Sequence, residues 1–276
     1  MKVLFWSPVH GQAGTTSNIT AISLTAGLGY HTKIVLTQTH FNYNNLEAPF
    51  VGSNSNNLAS KYYFMDVGLD ALIRSFKASK LDKEIIENCC ISPSNTNILL
   101  LPGTTKSNRE TFDYEMWTVM PNLLLNLEDA CNNVFVDISS GENPLSNRLM
   151  QEADIIVINL NQNMSIADLF FKYFKEKLPE KKLFYLFGNY DCKSKYNINN
   201  IRRKYFRDIT LHNSAVIPYS TAYLDAQCDG KIIDFIRNNM QSKKDDPNYY
   251  FIHKAKRATE KIFRFAGMNL EAMERT

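Results

Sequence analysis

The chain has 276 residues, 44% of them hydrophobic and 21% charged, enough to bury a sizeable core in one large α/β domain or at most two smaller ones. No apolar run approaches the roughly 20 residues of a membrane span, and no basic, apolar and small-residue leader pattern opens the chain, so the sequence predicts a cytoplasmic protein, with peripheral or polar placement open. Five cysteines (Cys89, Cys90, Cys131, Cys192, Cys228) without a Cys-x-x-Cys pair argue against a disulfide framework and against zinc or iron–sulfur ligation.

Short apolar runs alternate with helical patterns along the chain. Strands are expected at 2–6, 32–36, 98–101, 134–136, 155–160, 183–187 and 215–217, each a nearly continuous run of Ile, Val, Leu and Phe, as in a parallel strand covered on both faces. Apolar spacings of three and four predict helices at 19–28, 67–76, 81–89, 114–127, 166–178 and 232–240. The repeated βα order gives the expected fold class: α/β, a doubly wound, mostly parallel sheet flanked by helices. Residues 42–62 are dense in Asn and Ser and read as a long loop at the active edge. A polar linker at 241–247 divides the expected domain, 1–246, from a C-terminal segment, 247–276, whose helix runs from about Asn248 to Ala266.

Between the first strand and the first helix stands His10-Gly11-Gln12-Ala13-Gly14-Thr15-Thr16-Ser17. Glycines there free backbone N–H groups to face an anion at a helix N-terminus, and a hydroxyl is available for Mg²⁺, yet the lysine of a phosphate loop is missing. Each candidate also has a structural use. The Gly-x-x-Gly-Thr-Thr stretch can be a turn and helix cap, Asp137 can cap a helix beginning near Pro144, Asn189 can be a turn residue, and His10 can be a loop histidine. The charge is uneven: residues 1–169 carry −6 and residues 170–276 carry +9, so an acidic partner such as DNA or an anionic lipid surface is open for the basic half. In the C-terminal helix Phe251, Ala255, Ala258, Ile262 and Phe265 form one apolar stripe with Lys and Arg on the other faces. Its two alanines favour packing on the sheet's helical layer over insertion in a membrane.

The loop, the strand order and the later segments resemble the ParA/MinD family of P-loop ATPases, and within it the atypical TadZ/CpaE branch linked to pilus assembly. The family's loop reads Lys-Gly-Gly-x-Gly-Lys-Thr-Thr; in register with it, His10 replaces the signature lysine and Thr15 the P-loop lysine. Thr37-Gln38-Thr39 stands where the family carries Asp-x-Asp, so the water-activating carboxylate is missing as well. Asp137-Ile138-Ser139-Ser140-Gly141 matches the family's Asp-x-x-x-Gly segment, which contacts Mg²⁺ through water and senses the γ-phosphate. Asn189 corresponds to the asparagine that reads adenine, and Ile217-Pro218-Tyr219 to the loop over the base.

The resemblance thus implies a nucleotide site of Gly11, Gln12, Ala13, Gly14, Thr15, Thr16, Ser17, Asp137, Asn189, Pro218 and Tyr219, with Thr16 and Asp137 as metal contacts and no catalytic residue assigned. Lys106 or Arg109 could supply the lost charge. The expected ligands are ATP or ADP with Mg²⁺, weakly bound, with hydrolysis absent or very slow. The expected role is a positioning or scaffold factor of a pilus, secretion or partition-type system, acting as a nucleotide-dependent homodimer with protein partners of that apparatus. The receiver-like domain typical of the TadZ/CpaE branch is not in the sequence. Two alternatives remain open: a slow partition-type ATPase that binds DNA through the basic half, and an adaptor with an empty site.

Overall fold

The computed structural model describes residues 1–41, 46–51, 66–79, 81–179, 182–270 and 273. Seven strands, β1 (Lys2–Trp6), β2 (Ile34–Gln38), β3 (Ile98–Leu100), β4 (Asn133–Asp137), β5 (Ile155–Leu160), β6 (Lys182–Tyr190) and β7 (Ser214–Pro218), form one sheet in the order β3-β2-β4-β1-β5-β6-β7, every pair parallel. Alternate residues of each strand feed two separate core layers. Leu4 and Trp6 face one, Val3 and Phe5 the other, which is why the strands read as unbroken apolar runs.

The first layer is closed by α3 (Leu69–Lys77), α4 (Lys83–Asn88), α5 (Arg109–Cys131), α6 (Pro144–Gln151), α7 (Met164–Leu169) and α8 (Ile198–Lys204). The second is closed by α1 (Thr15–Gly29), α2 (Ala48–Val51), α9 (Thr221–Cys228), α10 (Ile232–Asn239) and α11 (Tyr249–Ala266). Side chains of Asp82, Asn108, Asn143, Asn163, Asn197 and Ser220 cap the helices they precede, each accepting a bond from a first-turn N–H that has no helical partner.

Three departures from the sequence reading have physical causes. The second strand runs to Gln38 instead of stopping at Leu36, because Thr37 and Gln38 are buried polar residues that apolar content does not reveal. The helix expected over 166–178 is α7 followed by a π-helical turn, Phe170–Phe174, and a 3₁₀ turn, Lys175–Lys177. That rewinding brings Phe170 and Phe174 against Trp6, at ring-centroid distances of 6.3 and 5.4 Å, and Phe171 onto Tyr205 at 4.2 Å. Within the loop expected at 42–62, residues 48–51 form α2, and positions 42–45 and 52–62 lie outside the described residues.

In α11 the buried positions are Phe251, Ile252, Ala255, Ala258, Thr259, Ile262 and Phe263, packed against β7 and α1, while Phe265 is partly buried. No helix among the described residues is long and apolar enough to cross a membrane.

Candidate functional site

In an open parallel sheet, ligands bind beyond the C-terminal ends of the strands, where strand order reverses. Here β1 lies between β4 and β5, and the loop at residues 7–14 leaves β1 at that point. A cleft of about 1050 Å³ opens there, lined from the loop and α1 by His10, Gly11, Gly14, Thr15, Thr16 and Ser17.

The loop is held by amides. Asn18, on the first turn of α1, donates to the Ala13 carbonyl at 3.1 Å and to Asn159 Oδ1 at 2.9 Å, and Asn159 Nδ2 donates to Trp6 and Val157 carbonyls at 3.3 and 3.1 Å. Asn161 donates to the Gln12 carbonyl at 2.9 Å. Gly14 takes a left-handed conformation (φ 65°) as N-cap of α1 and brings no side chain to the helix's leading N–H groups. On the far side α9 holds the same turn: Tyr223 donates its hydroxyl to the Ser17 carbonyl at 2.7 Å, and Ser17 donates to Gln227 at 3.1 Å.

Asp137 ends β4 directly beside Phe5 of β1 and Gln38 of β2. Only 1% exposed, its carboxylate accepts a bond from the Thr16 hydroxyl at 2.5 Å. Burial pushes the Asp137 carboxyl up to about 7 against the opposing pull of Thr16. His40 Nε2 lies 3.5 Å from the same carboxylate oxygen, and burial, with His10 adding to it, pushes the His40 imidazole down to about 4. Helix α6 is capped by Asn143, whose Oδ1 accepts from Ser146 N at 2.9 Å, so the capping role open to Asp137 is taken by another residue.

Of the residues singled out in the sequence, Gly11, Gly14, Thr15, Thr16, Ser17 and Asp137 line the cleft together. Gln12 and Ala13 support the loop through their carbonyls, Ala13 being buried. Asn189 does not follow a strand that stops at Phe187; β6 continues to Tyr190 through a bulge, in which Asn189 takes a left-handed φ of 48°. Its amide flanks the loop: a Cβ built on Gly14 would stand 3.5 Å from Asn189 Nδ2. Pro218 ends β7, and Tyr219, 58% exposed, donates its N–H to the Tyr190 carbonyl at 3.1 Å; Asn189, Pro218 and Tyr219 do not line the cleft.

Lys106 is held by Glu115 and by Asp70 (3.6 Å), away from the cleft, whereas Arg109, on the first turn of α5, lines it and is 72% exposed, with Asp113 at 3.4 Å. Sequence reasoning missed His40, Trp117 and Gln227, which line the cleft, and the Asn18–Asn159 support beneath it. For His40 a signal existed, since it follows the C-terminal end of β2. Thr39, beside it, lines the cleft with a buried hydroxyl that has no partner among the described residues.

Neither a protein-family model nor a curated protein matches the sequence. Among solved structures, the chain is similar to the ParA family ATPase of Chlorobium tepidum TLS, with a TM-score of 0.65 and 11% identity over 94% of this chain and 97% of that one. It is similar to the septum site-determining protein MinD of Pyrococcus horikoshii OT3, complexed with Mg-ADP, at a TM-score of 0.63 and 15% identity over 97% and 98% of the two chains. The chain has the ParA/MinD fold. A third ParA/MinD structure, pNOB8 ParA bound to nonspecific DNA, gives a TM-score of 0.62 and 13% identity over 96% and 98%. At these identities the likeness is one of fold, and the ParA/MinD fold here carries a loop whose residue 15 is threonine.

Proposed function

We propose that this chain binds an adenine nucleotide with Mg²⁺ in the cleft at the N-terminus of α1, hydrolyses it slowly or not at all, and uses the bound state as a positioning factor. The observation that carries this reading is the Thr16–Asp137 pair at 2.5 Å, on the rim of a large cleft whose loop lacks both lysines. The donor set suits Mg²⁺, which keeps several waters and takes one or two protein oxygens beside phosphate oxygens. A hydroxyl and a carboxylate already adjacent meet that demand. Among the described residues no group of three or more His, Cys, Asp or Glu could hold a metal ion alone, in keeping with a cation that arrives with its phosphates.

Bound Mg²⁺ would neutralise phosphate charge. The protein's own share is positional. Gly11 and Gly14 let the backbone turn toward an anion, the leading N–H groups of α1 face it, and Thr16 and Asp137 would hold the cation. Gln12 and Ala13 keep the loop in place, and Asn189, with Pro218 and Tyr219 beyond it, would meet the base. Charge-assisted bonds of about 1.5–3 kcal/mol each support binding without a lysine. Hydrolysis is a different matter, because phosphoryl transfer depends on cations and positioned water. Thr15 brings no charge, Thr37 and Thr39 stand in place of carboxylates, and among the described residues that line the cleft Arg109, paired with Asp113 at 3.4 Å, is the arginine or lysine that could turn toward the phosphates.

The Mg-ADP complex of the Pyrococcus horikoshii MinD and the AMPPNP complex of a putative plasmid partition protein (BB_S35) from Borrelia burgdorferi B31 support a nucleotide at this place in the fold. The resemblance to the TadZ/CpaE branch supports localisation of a pilus or secretion apparatus, through a nucleotide-dependent homodimer. The second reading, a slow partition ATPase acting on DNA, is favoured by the basic C-terminal half and by the DNA complex of pNOB8 ParA, and predicts turnover that DNA stimulates.

Calorimetry with ATP, with and without Mg²⁺, tests the proposal. The expected affinity is micromolar to millimolar, roughly 4–8 kcal/mol. Thr16→Ala should abolish the Mg²⁺ dependence, and Thr15→Lys should tighten binding. Nanomolar affinity, indifference to Thr15→Lys, or turnover of about 1–10³ s⁻¹ would overturn it.

A further inference from the structure

The strand order gives the cleft a direction. Asn189 lies in β6 and Pro218 ends β7, the loop before α1 leaves β1, Asp137 ends β4, and Thr39 follows β2; in space the strands run β2-β4-β1-β5-β6-β7. A nucleotide with its base toward β6 and its phosphates at the N-terminus of α1 therefore points its far end past Asp137 toward Thr39.

Thr39 is fixed there by its neighbour. Its N–H donates to the Asp137 carbonyl at 2.9 Å, so its place and that of the Thr16–Asp137 pair are set together. The residue is 2% exposed, yet it lines the cleft, and its hydroxyl has no partner among the described residues. A buried hydroxyl left without a partner is costly, and one on the wall of a cleft is placed to donate to what enters. The next residue, His40, is turned to Asp137 instead, with Nε2 3.5 Å from Oδ2.

The charges of the wall select the group that Thr39 meets. Among the described residues three carboxylates line the cleft: Asp113 is paired with Arg109 at 3.4 Å, Glu142 with Lys177, and Asp137 accepts from Thr16. None of the three stands at the end of β2, where Thr37-Gln38-Thr39 takes the place of Asp-x-Asp. A carboxylate at position 39 would repel a phosphoryl group and keep water between the two. A hydroxyl donates straight to a phosphate oxygen, in a charge-assisted bond.

We propose, resting on the nucleotide reading of the cleft, that Thr39 seats the terminal phosphoryl group of a nucleoside triphosphate, so that the chain holds a triphosphate more tightly than a diphosphate. A position that elsewhere in the fold family carries a carboxylate serves here for recognition. The state of the chain then follows whether tri- or diphosphate is supplied, and needs no turnover.

Calorimetry with AMPPNP and with ADP, each with Mg²⁺, tests this on the full chain. The native protein should favour AMPPNP at least about tenfold, the scale of one hydrogen bond to a charged group. Thr39→Val should weaken AMPPNP about tenfold and leave ADP unchanged, and Thr39→Ser, which keeps the hydroxyl, should bind both as the native protein does. Thermal melts of the free variants report folding, and Thr39→Ala takes the place of Thr39→Val if that variant does not fold. Equal native affinities for AMPPNP and ADP, an equal loss of both in Thr39→Val, or a loss of neither would overturn this proposal and leave the nucleotide reading standing. Failure of both nucleotides to bind would overturn the two together.

Discussion

Gly188 of β6 approaches Ala13 so closely that a Cβ built on Gly188 would stand 2.4 Å from the Ala13 carbonyl oxygen and 2.5 Å from Asn18 Nδ2. Neither neighbour can step aside at low cost. The carbonyl belongs to the loop backbone, and the Asn18 amide is buried between Ala13 and Asn159. The end of β6 therefore sets the height of the loop after β1, and with it the geometry of the cleft.

Gly188→Ala should accordingly destabilise the protein by about 1–3 kcal/mol, the usual cost of overpacking a filled site. For a chain of this size that corresponds to roughly 2–4 °C in Tm per kcal/mol. Because the strain falls on Ala13, nucleotide affinity should fall as well. Thermal melting and ATP calorimetry on the same variant check both; an unchanged Tm would show that the loop yields freely.

Lys261 carries a pH signature. Its proton is held less tightly in the folded state, near 8, than at its ordinary 10.5, mainly because of burial and then the neighbouring cations. The unfolded chain thus binds more protons between those two values, and folding stability rises with pH across that window. Below about pH 8 the cost of holding the cation in its partly buried place is present in full. Lys261→Met removes it, so the stability of the variant relative to the native protein should decline as pH rises from 8 toward 10.5. Urea melts at a series of pH values measure the difference; a flat difference would show that Lys261 is not depressed.

The C-terminal helix should prove indispensable to folding. Phe251, Ile252, Ile262 and Phe263 are each buried, and burial of such side chains contributes about 1.5–3 kcal/mol apiece. Together they rival the whole stability of an ordinary domain, about 5–15 kcal/mol. Removing residues 247–276 should abolish the cooperative melt and raise binding of an apolar dye, and the intact chain should not sediment with anionic vesicles. A truncated chain of unchanged Tm, combined with vesicle binding lost on truncation, would make α11 a membrane element instead.

What the sequence determined by itself lies in local pattern. Continuous apolar runs mark strands buried on both faces, so all seven strands were legible and Ile155–Leu160 to the residue, and the glycines between β1 and α1 marked the loop at the strand ends. Local pattern failed where distant groups decide. Thr37 and Gln38 join β2 because β4 pairs with them, and Phe170 to Phe174 leave the α-helix to meet Trp6. The short helices α8 and α9 show no apolar stripe, α8 being mostly polar and the apolar residues of α9 being spread around it, whereas the equally short α10 gathers its own on one side. Asp137 could be named from its motif, but its burial, its bond to Thr16 and the approach of His40 exist only because the sheet order sets β4 between β1 and β2. Strand order, and the facing of amides such as Asn18 and Asn159 that it creates, is a contact between residues 141 positions apart, and no window of the sequence contains both partners.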